Sequence, residues 1–240
     1  MTAMICPIEA LPEDTVSDAQ LRQAIEAKLV KQLMDKDVAA STAEFLMTHI
    51  LTWQSELLPL PQAESILAFA FGNRTLPNGN QLPGPMNEAL ADAVVEIYHQ
   101  TRKPVYAQWE IAQAIDKRVP EQHLFAIYPR LTAKGTIDYL CTKGVAERAV
   151  ELAGGIDNMG KTVVVGFYEH SLRTIDTAKE LGIDAYAPAG IELPNNYDKK
   201  SGQQWTRDHL TYVMHEIRTR ATNERERLIG QKKICPSHKR

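Results

Sequence analysis

The residues best able to do chemistry stand together after the apolar run TVVVGFY (162–168). Glu169, His170 and Arg173 follow this run within five positions. An imidazole can move protons near neutral pH, and a guanidinium binds carboxylates and phosphates through paired N–H groups. A turn from a strand into a helix needs a cap but does not need these groups. We therefore predict His170 as an acid–base residue and Arg173 as a charge stabiliser.

A structural role for the same two residues is the alternative. His170 could cap the turn, and Arg173 could pair with an acid of its own helix, such as Asp176. The position favours the functional interpretation. We expect a helix to open near Ser171, where free amides and the positive end of the helix dipole would attract an anion.

Other candidates follow other apolar runs. ILAFAF (66–71) leads into a loop rich in Gly, Asn and Pro, which is either an ordinary surface loop or a ligand-binding one. In the second case Gly72 lets the backbone approach a ligand and Arg74 pairs with an anion. The loop has neither the dinucleotide glycine pattern nor the phosphate-binding lysine pattern, and no set of metal ligands stands out. The remaining ligand-binding candidates that the residues themselves offer are Asn73, Gln108, Glu110, Lys143, Glu147 and Trp205.

Two of these candidates have equally good structural explanations. Glu147 could orient His170 or Arg173, or it could be a solvated acid on a helix. Trp205 could form a wall for a planar ligand, or it could pack at the start of the last helix.

The candidate residues need a scaffold that brings several strand ends together. Apolar runs at 66–71, 104–109, 124–129, 162–168 and 184–190 alternate with predicted helices at 87–102, 110–116, 135–152, up to 181, and 205–229. This alternation predicts an α/β fold, a Rossmann-like doubly wound parallel sheet covered by helices on both faces. Ligands of such folds bind beyond the carboxyl ends of the strands, near the switch in strand order. The candidate loops are expected to meet there.

The start of the chain has a different pattern. Ser17 and Gln20 have the spacing of a capping box, and Leu residues then recur at helical intervals before the stretch LPLPQAES (58–65). We predict a helical N-terminal extension over 1–60 and the α/β domain over 61–240. The apolar faces of the extension and of the last helix either cover the sheet, form a homodimer or dock a partner. A non-catalytic interaction protein therefore remains the alternative function.

Composition excludes several classes of protein. The net charge of −3 argues against a nucleic-acid partner, and three widely spaced cysteines argue against a disulfide framework. No apolar run approaches the roughly 20 residues needed to span a bilayer, and the N-terminus lacks a secretory signal pattern. We expect a cytoplasmic protein with no membrane partner.

The order of these features resembles the SanA/ElyC/YdcF-like family of Rossmann-like proteins, over roughly residues 65–218. The similar segments are AFAFGNRTLPNGNQLPGPMNEALADAVVEIYHQ, TKGVAERA and VVVGFYEHSLRTIDTAKELGIDAYAPA. The residues that match the family pattern are Thr142, Glu147, His170, Arg173, Trp205 and Arg207. The family's Ser-Gly-Gly after the second strand is AQWE here, which marks a divergent branch. The resemblance implies a soluble protein that binds an S-adenosylmethionine-like or nucleotide-like ligand.

Overall fold

The computed structural model describes residues 16–131, 137–138 and 140–234. The chain divides into two compact units, Met1–Thr52 and Trp53–Arg240. Among the helices of the described residues, none combines the length and the apolar character that crossing a membrane requires.

From residue 16 onward, the first unit contains two helices, α1 (Asp18–Leu33) and α2 (Lys36–Phe45), followed by a π-helical turn at Leu46–Ile50. The predicted capping box is present. The backbone N–H of Gln20 donates to Ser17 Oγ at 3.3 Å, and the backbone N–H of Ser17 donates to Gln20 Oε1 at 2.9 Å. No side chain of α1 is fully buried, whereas α2 buries two alanines.

In the part of the second unit that the structure describes, there are ten strands and five α-helices. The strands are β1 (Leu57–Leu58), β2 (Ser65–Ala68), β3 (Arg74–Thr75), β4 (Gln81–Leu82), β5 (Val105–Gln108), β6 (Leu124–Ile127), β7 (Arg130–Leu131), β8 (Ile137–Asp138), β9 (Lys161–Val165) and β10 (Asp184–Pro188). The helices are α3 (Gly84–Thr101), α4 (Trp109–Ile115), α5 (Thr142–Ala153), α6 (Tyr168–Glu180) and α7 (His209–Ile234).

Six of the strands form one sheet in the order β1-β10-β9-β2-β5-β6. Every neighbouring pair in it is parallel. The chain moves outward from β2 through β5 to β6 on one side, and from β9 through β10 on the other. The strand order therefore reverses between β2 and β9, which confirms the predicted doubly wound α/β fold.

Side chains of the central strands alternate between two apolar layers. Ile66 and Ala68 of β2 pack in the layer that contains α3 and α4, whereas Leu67 packs in the layer that contains α5 and α6. All four residues of β2 and all four of β5 are buried. A strand buried on both faces has a continuous apolar sequence and no alternation of apolar with polar residues. This explains why ILAFAF and VYAQ could be predicted as strands although they do not alternate.

Several predicted boundaries are wrong. The helix predicted over 135–152 begins at Thr142; residues 137–138 form β8, paired with β7, and residues 135, 136 and 139 lie outside the described part of the chain. The last helix begins at His209 rather than 205, because residues 204–206 form a 3₁₀ turn. The two-residue strands β1, β3, β4, β7 and β8 are too short to produce a periodic signal and were not predicted.

Candidate functional site

A cavity of about 330 Å³ opens where the carboxyl ends of β2 and β9 diverge. Its walls come from the segments after β2, β5 and β9, from the start of α5 and from α7. Six of the residues predicted from sequence line it: Gly72, Gln108, Thr142, His170, Arg173 and Trp205. This is the position at which doubly wound folds bind ligands.

His170 lies in the first turn of α6, which begins at Tyr168 and not near Ser171 as predicted. The amide of His170 donates to the carbonyl of Phe167 at 2.8 Å, and that of Tyr168 donates to the carbonyl of Pro194 at 2.9 Å. Two of the amides that were expected to attract an anion at the start of α6 therefore donate to backbone carbonyls instead.

His170 is only 6% exposed, although it lines the cavity. Burial lowers its pKa to about 4, and the nearby charge of Arg173 acts in the same direction. Its Nδ1 has no hydrogen-bond partner among the described residues and lies 3.7 Å from Oε2 of Glu216, which is too long for a hydrogen bond. His170 is consequently a neutral imidazole at pH 7.

Arg173 pairs with Glu216 of α7 and not with an acid of its own helix. Its Nε donates to both carboxylate oxygens of Glu216, at 2.8 and 3.0 Å, and its Nη1 donates to Oγ1 of Thr142 at 3.1 Å. Glu216 also accepts from the hydroxyl of Tyr212 at 2.9 Å and from Nε of Arg220 at 3.1 Å. The carboxylate of Glu216 thus fixes the guanidinium of Arg173 at the cavity wall.

Glu216 is fully buried, and its charge is maintained by its neighbours. Burial alone would raise its pKa, but the charge and the hydrogen bonds of Arg173 act in the opposite direction, and the pKa lies well below its ordinary range. An ionised carboxylate inside a protein is stable only when it is paired and hydrogen-bonded in this way.

The loop after β2 is held by side chains from helix α3 and from the end of strand β5. Asn87 of α3 accepts from the amide of Phe71 at 2.8 Å and donates to the carbonyl of Gly72 at 2.8 Å. Gln108 accepts from the amide of Ala70 at 3.0 Å. These bonds bring the backbone of the loop to the cavity edge in one conformation.

The other predicted site residues do not line the cavity. Asn73, in the loop after β2, is buried. Arg74 donates to the carboxylate of Asp198 at 2.7 and 3.2 Å, so the anion that Arg74 was expected to bind is a side chain of this protein. Arg207 donates through Nε to the carbonyl of Ser201 at 2.6 Å. The two α5 residues outside the cavity are Lys143 and Glu147, and Glu110 is buried near Asn73 at the start of α4.

Burial raises the pKa of Glu110 to about 8, although hydrogen bonds with its own backbone and with Asn73 act to lower the pKa. Its side chain is fully buried. Most folded molecules consequently carry Glu110 as a neutral carboxylic acid at pH 7.

Sequence analysis missed the contribution of α7. Tyr212, Glu216 and Arg220 follow one another at four-residue spacing and are all buried. Residues four positions apart share one face of a helix. Polar groups repeated at that spacing, in a helix that packs on the core, could have indicated a buried polar cluster. His215, also on α7, stacks on Trp205 with ring centroids 5.3 Å apart.

Substitution of Gly72 by Ala is expected to destabilise the protein and to distort the cavity. Gly72 has φ of +62°, and an added Cβ would lie 2.6 Å from Oγ of Ser201 and 2.7 Å from Oγ1 of Thr206. We expect the free energy of unfolding to fall by about 2–4 kcal/mol, from backbone strain together with steric overlap. Urea denaturation measures this loss.

Gly79→Ala is the matched control for Gly72→Ala. Gly79 also has a positive φ, +83°, but nothing lies within 4 Å of its added Cβ. It should therefore show the strain alone. Equal losses in the two variants would mean that the contacts around Gly72 are not tight.

The fold and the cavity together define a doubly wound α/β protein with a polar cavity at its switch point. No protein-family model, curated protein or solved structure matches the chain. Within residues 16–131, 137–138 and 140–234, no group of three or more His, Cys, Asp or Glu side chains is arranged to hold a metal ion.

Proposed function

We propose that this protein binds a nucleotide-like or S-adenosylmethionine-like small molecule in the cavity at the switch point. The observation that carries the proposal is the position of His170 and Arg173 on one wall of a cavity of about 330 Å³. That volume lies within the range of small-molecule sites, and the wall combines aromatic surface with a few polar groups. The resemblance to the SanA/ElyC/YdcF-like family points to the same class of ligand.

The two residues would serve different purposes in a reaction. Glu216 faces Nδ1 of His170 and favours the tautomer with hydrogen on that nitrogen, which leaves Nε2 as a hydrogen-bond acceptor. A neutral imidazole in this form accepts a proton from a ligand hydroxyl or from water, and Glu216 stabilises the resulting cation. Arg173, fixed by Glu216, would neutralise negative charge on the ligand.

Ligand binding is expected to raise the melting temperature, and His170→Gln is expected to remove most of the rise. A ligand at a hundredfold excess over its Kd stabilises the folded state by about 2.7 kcal/mol, or several degrees. The measurement is a thermal-shift screen with S-adenosylmethionine, adenine nucleotides and phosphosugars, on the wild type and the variant.

His99→Gln is the matched control, because His99 is exposed at the end of α3, away from the cavity. It should respond to ligand as the wild type does. The proposal fails if no compound shifts the melting temperature of the wild type, or if His170→Gln shows the full shift.

A further inference from the structure

We infer that Trp205 binds the base of a purine nucleoside by stacking at the mouth of the cavity, and that the protein recognises the flat face of the base rather than its edge. The inference rests on the proposed function of the cavity and adds to it the class of base and the orientation of the ligand. It follows from the exposure of Trp205, from the rings packed behind it and from the hydrogen bonds that fix its turn.

Trp205 presents a large apolar ring to the cavity. All three tryptophans lie in the described part of the chain, and Trp205 is the exposed one, whereas Trp53 and Trp109 are partly buried. Trp205 lines the cavity and is 42% exposed. Removing indole surface from water is favourable, so a flat ligand that covers this ring gains affinity.

One face of the indole of Trp205 is already covered by the protein. The imidazole of His215 is stacked on it, with ring centroids 5.3 Å apart and planes 11° apart. His215 in turn lies against Tyr212, with centroids 5.8 Å apart, and all three rings line the cavity. Burial lowers the pKa of His215, so this stack is between neutral rings at pH 7. The opposite face of the indole is the surface on which a base can stack.

The turn that carries Trp205 is held in one position by buried groups. The hydroxyl oxygens of Ser201 and Thr206 are 2.7 Å apart, and both residues are buried. The amide of Gly202 donates to the carbonyl of Asn73 at 2.7 Å, which joins this turn to the loop after β2. A ring that is fixed before the ligand arrives loses little conformational entropy on binding, so its stacking contributes strongly to affinity.

Exposure indicates the orientation of the ligand. Trp205 is exposed, whereas the side chains of His170 and Arg173 are only 8% and 15% exposed. The base therefore stacks at the mouth of the cavity, and the sugar extends inward toward His170 and Arg173. A base in this position keeps its edge in water. Its affinity then depends on the stacked area, which is larger for a two-ring purine than for a one-ring pyrimidine.

Calorimetric titration of the wild type with AMP, GMP and UMP at constant ionic strength tests the class of base. The three nucleotides carry the same ribose phosphate, so differences in affinity report on the base alone. We expect AMP and GMP to bind within about threefold of each other, and UMP to bind about fivefold more weakly than AMP.

Substitution of Trp205 tests the position of the base. Trp205→Ala removes the stacking surface, so we expect it to bind AMP about tenfold more weakly and to lose the preference for AMP over UMP. Trp205→Phe keeps a flat ring and should lose no more than about threefold. Tyr128→Ala is the matched control, because Tyr128 is 65% exposed and does not line the cavity. It should bind AMP as the wild type does.

Tryptophan fluorescence is an independent measurement of the same contact. A base stacked on an indole quenches the emission of that indole. AMP should therefore quench the emission of the wild type and of Trp53→Phe, but not the emission of Trp205→Phe. Trp53 is the suitable control because it lines a different cavity.

The outcomes separate the inference from the function. Unchanged AMP affinity in Trp205→Ala, an equal loss in Tyr128→Ala, or quenching that persists in Trp205→Phe overturns the inference and leaves the proposed function standing. Equal affinity for UMP and AMP, or a larger difference between AMP and GMP than between AMP and UMP, also overturns it. Absence of binding by all three nucleotides overturns the inference, and the proposed function falls with it only if the thermal-shift screen also finds no ligand.

Discussion

Replacement of Glu216 by Gln is expected to lower the free energy of unfolding by about 3–5 kcal/mol, the cost of leaving buried cations without their counter-ion. Glu216 is fully buried, and Arg173 and Arg220 both donate to it. Gln keeps the size of the side chain but removes the negative charge, so the loss reports on electrostatics and not on packing. Urea denaturation at pH 7 measures it.

Glu226→Gln is the control for Glu216→Gln, because Glu226 lies on the same helix, is exposed and pairs with its exposed neighbour Arg225. Exposed ion pairs contribute about 0–1 kcal/mol, so this change should be nearly neutral. A loss below about 1 kcal/mol in Glu216→Gln would mean that Glu216 does not hold the buried arginines.

Glu110→Gln should make the protein more stable relative to wild type as the pH rises. The pKa of Glu110 is raised to about 8, so between pH 4.5 and 8 the unfolded chain releases a proton that the folded chain keeps. The stability that Glu110 contributes is therefore fully present below pH 4.5 and is lost as the pH rises through 8. Gln does not titrate. The difference in unfolding free energy should grow in favour of Glu110→Gln by about 3 kcal/mol between pH 5 and 8.

Urea denaturation at pH 5, 6, 7 and 8 measures this difference. Glu121→Gln, an exposed acid in the turn before β6, is the control and should follow the wild-type profile. A constant difference between Glu110→Gln and the wild type across this range would show that Glu110 is ionised in the folded protein at pH 5 and above.

The sheet was predictable because its signals are local. Strands buried on both faces leave continuous apolar runs, and their alternation with helices restricts the chain to a parallel, doubly wound sheet. The strand ends then identified which loops meet at the switch point. Gly72, Gln108 and His170 could be placed near one another in this way without any knowledge of side-chain contacts, whereas Thr142 became a candidate only through the family resemblance.

The partners of those residues were not predictable in the same way. Arg173 lies 43 positions from Glu216, and Arg74 lies 124 positions from Asp198. Which acid meets which arginine depends on how α7 and the loop before it pack on the sheet. No local pattern contains that information. Expectations about charge near the site were for this reason less reliable than expectations about its position.

Hydrogen exchange with and without the compound that gives the largest thermal shift is the most direct test of the cavity as the binding site. Amides without helical acceptors exchange rapidly unless a ligand bonds them. We expect protection at 140–142 together with 69–72 and 170–173, the segments that contribute to the cavity wall. Protection confined instead to the residues of another cavity of about 360 Å³, which Trp53, Leu57 and Leu193 line, would contradict the assignment of the ligand to His170 and Arg173.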